Sequence, residues 1–270
     1  MLEKASLMAA RWQGPWLRSG LVKLFLDGVI ENGTAWVLEP YPDAPGQHGT
    51  PLFAPDRFAE IAVEADRRGL QVAVHAIGDA AVRAVIDGYA AAQTAHGRRD
   101  SRHRIEHIEL IHPADVPRLR QFGITASLQP AHVPGALDIP VQPTAGRISV
   151  ARWGDAFACR RLDTALAFGS DWPIADASVL RGIGAAVTRG LWAAGLPDES
   201  IGLMPTLAAY TRGGAWAAHA EGWTGMLRAG HMADLVVLDG DIEAAAPARI
   251  GKMAVVLTLC GGCITYERAN

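Results

Sequence analysis

Short apolar segments alternate with helix-like segments along most of the chain, and this alternation restricts the possible folds more than any other feature. The apolar segments are LVKLFLDG, LQVAVH, RHRIEH, GITASLQP and ALAFGSDWP. The intervening segments have apolar residues at helical spacing, and glycines such as Gly69 and Gly123 follow them as stop signals. Strands that are apolar over nearly their whole length are typical of a parallel sheet covered on both faces. The sequence therefore predicts an α/β fold with five strand–helix units.

A (β/α) barrel fits these units better than an open doubly wound sheet, because no glycine-rich phosphate loop follows any of the strands. Past Met204 the pattern changes to a helix that is uneven near Gly213 and Gly214, and then to short strands with turns between them. We therefore expect a partial barrel over residues 1–224. A small β segment is expected over residues 225–270.

Composition excludes several classes of function. The chain has 270 residues and a net charge of -3, without the basic surface that nucleic acid binding needs. No apolar run approaches the roughly 20 residues of a membrane span, and the N-terminus lacks the apolar core of a signal peptide. Three cysteines are too few for a disulfide framework, which favours a reducing, cytoplasmic setting. A serine hydrolase is disfavoured because the sequence has no G-x-S-x-G motif.

Two of the cysteines, Cys260 and Cys263, form a C-x-x-C motif. A redox pair and half of a zinc site are the functional interpretations, but zinc sites of this kind need a second pair and only Cys159 remains. The motif is therefore interpreted as two small apolar residues in a β segment.

Residues that can bind a metal ion lie at or near the ends of four predicted strands. Lys23 lies early in VKLFLDG, His75 ends QVAVH, His107 ends RHRIEH and Asp171 follows ALAFGS. In a (β/α) barrel the active site is built where strands end, at the carboxyl face. Histidine nitrogens and carboxylate oxygens bind zinc and similar cations, and a carboxylated lysine can bridge two of them. The pattern predicts a metal-dependent hydrolytic site.

Each of these residues also has an ordinary interpretation. A single histidine at a strand end is most often a surface polar residue, an aspartate after a strand is most often a helix cap, and a lone lysine is a solvated charge. Their strand-by-strand order favours the metal site, because independent causes seldom give it. Gln129 and His132 follow the fourth predicted strand and are candidates for substrate contact, with ordinary loop residues as the alternative.

The segments that carry these residues resemble a known family. VKLFLDG with TAWVLEPY, VAVHAIGDAAV, RHRIEHIELI, ITASLQPAH, FGSDWPIAD and GMLRAGHMADLVVLDGD follow one another between about Leu21 and Tyr266. Together they resemble the amidohydrolase superfamily, and within it amidohydrolase family 3, which includes YtcJ-like proteins and N-substituted formamide deformylases.

This resemblance implies an amidohydrolase barrel of which the chain holds strands four to eight. It implies that Lys23, His75, His107 and Asp171 bind one or two divalent metal ions, with zinc preferred, and that Lys23 is carboxylated when it bridges two ions. It also implies that Asp171 handles the proton of the attacking water. The substrate would be a small amide-like molecule, and the C-terminal strands would be half of a composite β-sandwich.

The sequence departs from the family in one important respect. Family members begin with sandwich strands and a first barrel strand that ends in H-x-H, whereas no two of the nine histidines here are two residues apart. The chain therefore looks like the C-terminal half of a family member, and a misplaced start or a frameshift is the simplest explanation. Open sheet edges would then favour a homo-oligomer or pairing with a separately encoded N-terminal half.

Two functions follow from this departure. One is a metal-dependent hydrolase acting on a non-peptide C–N bond. The other is a catalytically inactive remnant, or one half of a split enzyme. The DNA upstream of Met1, read in all three frames, separates the two functions. An H-x-H encoded there after an apolar strand would favour the enzyme, and unrelated sequence would favour the remnant.

Overall fold

The computed structural model describes residues 1–133, 147–148, 159–189 and 198–269. Its central element is a five-stranded sheet in which the strands lie in chain order. They are β1 (Leu21–Phe25), β2 (Gln71–Ala76), β3 (Arg104–His107), β4 (Thr125–Leu128) and β5 (Leu166–Phe168). The first four are parallel, and their register sets Phe25 beside His75, His75 beside Glu106, and Glu106 beside Ser127. The predicted α/β class and the five predicted strands are confirmed.

Helices connect the strands as the apolar periodicity predicts. They are α2 (Pro55–Arg67), α3 (Asp79–His96) and, after a 3-10 turn at Pro113–Asp115, α4 (Val116–Gln121), whereas α1 (Leu2–Arg11) precedes β1 and was not predicted. Helix α2 starts with a proline, whose fixed φ suits the first helical turn. It is followed by Gly69 at a φ of 73°, a conformation that glycine adopts at low cost. The local stop signals in the sequence therefore work as expected.

The rest of the chain contains shorter elements. They are α5 (Val179–Thr188), α6 (Leu203–Ala208), α7 (Gly214–Ala217), β6 (Leu235–Leu238), α8 (Pro247–Ile250), β7 (Val255–Cys260) and β8 (Cys263–Glu267). A π-helical turn at Ala209–Gly213 separates α6 from α7, so the predicted unevenness of this helix is confirmed. At Gly213 an added Cβ would lie 2.1 Å from the carbonyl oxygen of Leu166, so only glycine fits there.

The chain divides into two compact units. The first comprises residues 1–127 with 142–165, and the second comprises residues 128–141 with 166–270. The core of the first unit is formed by side chains of β2, β3 and the helices against them, including Val72, Ile105, Phe58, Ile86 and Tyr89, all buried. The predicted domain boundary near Gly225, between the barrel segment and the C-terminal β segment, stays a prediction.

Strands β6, β7 and β8 form an antiparallel sheet in the second unit. Its side chains are exposed to a degree unusual for a sheet with this many β-branched residues: Val236 is 56% exposed and Ile264 61%. The composite sandwich expected here stays a prediction, because the described residues show a single sheet of three strands.

Strand β1 has one covered and one open face. Val22 and Leu24 are buried, whereas Leu21 and Phe25 are 39% and 50% exposed, with Lys23 between them on the same face. In the described part of the chain, no helix is both long and apolar enough to cross a membrane.

Candidate metal centre

His75 lies at the carboxyl end of β2, and its ring is held in place by the segment that follows β1. The side chain is 7% exposed, and its Nε2 lies 3.0 Å from the carbonyl oxygen of Gly28. A carbonyl oxygen only accepts, so Nε2 carries the hydrogen in this contact, and Nδ1 is the nitrogen whose lone pair suits a cation. This arrangement is the usual one for a histidine that binds a metal, since a second contact fixes the tautomer.

Asp27 organises the backbone around His75. Its carboxylate accepts hydrogen bonds from the backbone N–H groups of Trp36, Ile77 and Gly78, at 2.9, 3.0 and 2.8 Å. One of its oxygens also lies 3.8 Å from Nε2 of His75. Burial raises the pKa of Asp27 to about 6, although the three N–H groups oppose this rise. Asp27 therefore ties the end of β1 to the turn after β2.

His107 comes from the next strand, and its ring centroid lies 4.5 Å from that of His75 in an edge-to-face arrangement. The register explains how the two meet, because His107 pairs with Ala76 directly after His75. His107 has a φ of 77°, and the following Ile108 a φ of 48°. Left-handed backbone costs about 1–3 kcal/mol for a residue other than glycine and concentrates at functional sites. The strained turn at the end of β3 therefore coincides with a predicted ligand.

Lys23 lies two residues before the end of β1. Its Nζ is 4.8 Å from the ring centroid of Phe25, and that ring is 4.9 Å from the ring of His75. Lys23 and Phe25 project from the same face of β1 because side chains alternate along a strand. The structure thus sets Lys23, His75 and His107 along one side of the first unit, with Phe25 between the lysine and the first histidine.

A buried carboxyl group that the sequence analysis did not select follows His107. Glu109 is 6% exposed, and its Oε2 has no hydrogen-bond donor among the described residues. Burial raises the pKa of Glu109 well above its ordinary value, and the negative charges of Glu31 and Asp27 raise it further. Both causes favour the neutral form of the carboxyl group.

The other three predicted site residues belong to the second unit. His132 ends a 3-10 turn that starts at Pro130, and its Nε2 lies 3.2 Å from the backbone oxygen of Ser170. Asp171 is exposed and has a φ of 57°, so it too is a left-handed residue at a strand end. Ligand atoms of His132 and Asp171 lie within 4.8 Å of each other. Gln129 is buried, and its backbone oxygen accepts the N–H of His132 at 2.9 Å.

Asp27 and Glu109 are the residues around the site that the sequence analysis missed. Both lie inside motifs that it used, LFLDG and RIEHIEL. An aspartate before a glycine is most often interpreted as a turn residue. A glutamate two positions after a histidine is most often interpreted as a side chain exposed to solvent. Their charged side chains within apolar strand segments were the available signal, since such groups are rarely buried without a role.

Opposite the site, the amino ends of β2 and β3 are fixed by a polar network. The hydroxyl of Tyr89 donates to the backbone oxygens of Val72 and Arg104, three residues before His75 and His107 respectively. Nearby, the carboxylate of Asp66 accepts a hydrogen bond of 3.1 Å from Nε2 of His103. The ring of His103 is stacked on that of Tyr89. A buried hydroxyl shared by two strands fixes their relative position, and therefore that of the two histidines.

The donor set suits a divalent cation of intermediate softness. Imidazole nitrogens and carboxylate oxygens are the ligands that zinc and similar ions accept in hydrolytic sites. The fold and these side chains together define a class: an α/β protein whose parallel strands end in side chains that can bind a metal ion.

Comparisons with known proteins agree with this class and give the family. A family model described as the amidohydrolase family matches residues 2–266, so the chain belongs to the amidohydrolase family. The resemblance seen in the sequence is confirmed.

Three curated relatives are similar over most of the chain. Protein LONG AFTER FAR-RED 3 of Arabidopsis thaliana is 35% identical over 88% of this chain and 40% of its own length. Bacillus subtilis YtcJ is 30% identical over 96% of this chain and 50% of its own length. N-substituted formamide deformylase of Arthrobacter pascens is 25% identical over 94% of this chain and 47% of its own length. The chain thus spans half or less of the length of these relatives.

Two solved structures extend the likeness to the fold. Both are uncharacterized metal-dependent hydrolases, one from Pyrococcus furiosus and one from Pyrococcus horikoshii. The first has a TM-score of 0.73 and 32% identity over 85% of this chain and 46% of its own. The second has a TM-score of 0.77 and 28% identity over 93% of this chain and 50% of its own. Family, fold and donor set agree in describing an α/β chain of the amidohydrolase family that carries candidate metal ligands.

Proposed function

We propose that this chain is the part of a metal-dependent amidohydrolase that contributes most of the metal ligands, and that the enzyme hydrolyses a non-peptide C–N bond of an amide-like small molecule. One observation carries the proposal: His75 and His107 end neighbouring parallel strands, and their rings lie 4.5 Å apart. The deformylase relative supports the choice of bond, because its name describes a reaction on N-substituted formamides.

The proposed ligands are His75 and His107 of the first unit and Asp171 of the second, with Lys23 as a further ligand when it is carboxylated. Zinc is the proposed metal, with one or two ions. The Gly28 contact of His75 and the left-handed backbone of His107 support these assignments, because both fix a ring direction in advance. The left-handed backbone of Asp171 supports its inclusion in the same way.

A bound divalent cation would lower the pKa of a water ligand and polarise the scissile carbonyl. In the proposed reaction the carboxylate of Asp171 accepts the proton of the attacking water, and its exposure leaves room for a substrate beside it. Gln129 and His132 contact the substrate. The Ser170 contact of His132 supports this role, because it orients the ring.

The five-stranded sheet is proposed to be strands four to eight of a (β/α) barrel, and the sheet of β6 to β8 to be half of a sandwich. The exposed side chains of Leu21 and Phe25 on β1 support a partner on that face. The partner would be a second copy or a separately encoded N-terminal half. A cytoplasmic setting is proposed because three cysteines are too few for a disulfide framework.

A second candidate is metal binding without catalysis, as in an inactive remnant or one half of a split enzyme. The sequence contains no H-x-H among its nine histidines, and the family resemblance implies two further ligands in such a motif. Bound metal with no hydrolysis of N-substituted formamides would identify this candidate.

The test is a metal-binding measurement on the full chain. Purified protein is supplied with zinc, dialysed and analysed by elemental mass spectrometry, and Co²⁺ absorption reports the ligands. We expect bound metal in the wild type, a loss of at least tenfold in affinity in His75→Asn and His107→Asn, and a smaller loss in Asp171→Asn, which tolerates the left-handed backbone. His96→Asn, on an exposed helix end, is the matched control.

Circular dichroism of each variant shows whether it is folded. A folded wild type that binds neither zinc nor Co²⁺ would overturn the proposal for this chain. Equal affinity in the His75 and His96 variants would overturn the ligand assignment.

A further inference from the structure

The hairpin formed by β7 and β8 carries two thiols at its tip. Cys260 is the last residue of β7, Cys263 is the first of β8, and the two are direct partners in the antiparallel register. Only Gly261 and Gly262 lie between them, with φ values of 58° and 83°. Two consecutive positive φ values are what the tight hairpin turn of type I′ requires, and glycine adopts them readily.

This register brings the Cα atoms of the two cysteines into the range of separations that disulfides span. Directly opposite residues of an antiparallel pair point to the same face, with Cα atoms about 4.5–5.5 Å apart. Disulfides usually join Cα atoms about 4.4–6.8 Å apart. The Cα separation expected for this pair therefore falls within the range that disulfides span, and a small closure of the hairpin tip brings the side chains together.

The tip is also accessible and anchored. Both thiols are exposed, whereas Cys159 is buried. The carboxylate of Asp234 accepts the N–H of Gly261 at 2.7 Å and a hydrogen bond from the thiol of Cys260. These contacts hold the turn in one conformation and leave the sulfur atoms open to a reagent from solution.

Metal binding by this pair is less well supported. Among the described residues, no histidine or carboxylate joins the two sulfurs to make a group of three potential ligands. Structural zinc sites are almost always four-coordinate, so two thiolates at an exposed tip are an incomplete set. The geometry instead suits a reaction that involves two thiols only.

We propose that Cys260 and Cys263 are a redox-active dithiol that low-molecular-weight disulfides of the glutathione type convert to an intramolecular disulfide. One cysteine thiolate attacks a sulfur of the oxidised glutathione, forms a mixed disulfide and releases one glutathione thiolate. The second cysteine then attacks the protein sulfur of the mixed disulfide and releases the other. The protein loses two electrons and two protons, and the glutathione disulfide gains them as two thiols.

The bond closes a ring of four residues at the exposed tip of the sheet, and exposed disulfides are the readily reduced ones. The reverse exchange by excess glutathione therefore reopens it. This site lies outside the residues proposed to bind metal and does not depend on them.

The experiment equilibrates the full chain with mixtures of reduced and oxidised glutathione, alkylates free thiols with N-ethylmaleimide in denaturant, and measures intact and peptide masses. We expect the peptide that contains both cysteines to lose its two alkyl groups together and to become 2 Da lighter than the unalkylated dithiol peptide. Reduced glutathione restores both alkylation sites. The buried Cys159 stays alkylated and serves as an internal control.

Variants separate an internal disulfide from simple surface modification. Cys260→Ser and Cys263→Ser should each accumulate one glutathione adduct of about 305 Da on the remaining thiol, because the second exchange step is removed. Cys159→Ser should behave as the wild type. Circular dichroism confirms that each variant is folded.

Three results would overturn the proposal. They are glutathione adducts instead of the internal disulfide in the wild type, thiols that stay reduced in oxidised glutathione alone, and a single serine variant whose remaining tip thiol loses its alkyl group without gaining a glutathione adduct. None of these results bears on zinc binding by the histidines, so the two proposals fail independently.

Discussion

Replacement of Tyr89 by phenylalanine tests whether one hydroxyl group holds the two histidine-bearing strands in register. The side chain is 1% exposed, and its oxygen lies 3.1 Å from the carbonyl oxygen of Val72 and 3.0 Å from that of Arg104. Burial raises the pKa of Tyr89 well above its ordinary value, so the hydroxyl stays protonated and able to donate at neutral pH.

The magnitude follows from the loss of this donor. A single hydroxyl hydrogen is shared by two carbonyl groups, so the variant loses about one net hydrogen bond and leaves both oxygens less well satisfied in a dry core. Together these effects amount to about 1–3 kcal/mol of unfolding free energy. The ring keeps its stacking on His103, 4.7 Å between centroids, so no cavity contributes.

Urea unfolding followed by circular dichroism measures the change. Tyr266→Phe is the control, since Tyr266 is 48% exposed in β8 and should change by no more than about 0.5 kcal/mol. A Tyr89→Phe variant as stable as the Tyr266 control would refute the view that this hydroxyl ties β2 to β3.

Two further predictions concern packing and pH. Gly78→Ala should be destabilised by several kcal/mol, because an added Cβ would lie 2.0 Å from the carbonyl oxygen of Trp36, whereas Gly214→Ala has open space and should be neutral or stabilising by up to about 1 kcal/mol. Thermal melts compare the two, and similar melting temperatures would contradict the clash. The pKa of His103 is lowered, mainly by burial, so the stability that it contributes is complete above its unfolded pKa of about 6.5 and is lost below it. Burial alone would raise the pKa of Asp66, but its contacts with His103, Ser101 and Arg99 outweigh burial and lower it. The stability that Asp66 contributes is therefore lost only below about pH 4. The stability advantage of the wild type over His103→Asn should therefore shrink between pH 7.5 and 5, and urea titrations that show a constant advantage would contradict this assignment.

The elements of the fold could be predicted from the sequence because their signals are local. Helix α2 needs only its apolar spacing, a proline at its start and Gly69 after its end. Strand β2 needs only a short apolar segment between turn residues. The order of the strands also followed, since consecutive parallel strands joined by helices lie side by side in such folds.

The candidate site could be predicted only in part. His75 and His107 were selected because each ends a strand, and the structure brings them together. Their ring directions could not be predicted, since these depend on a carbonyl group contributed by Gly28 and on a left-handed backbone at His107. Asp27 was missed for the same reason, because its three hydrogen-bond donors come from segments distant in the sequence.

The sequence by itself determined the succession of strands and helices, the family and the identity of the candidate ligands, because these depend on residue type, spacing and order. Tertiary structure alone decided which polar side chains are buried, since burial depends on what packs over a residue. It decided, for example, that Glu109 is enclosed and that its pKa is raised by burial. Two strands that each end in a histidine were visible from the start. That the two rings lie 4.5 Å apart was decided by the register between β2 and β3 and the backbone turn at His107.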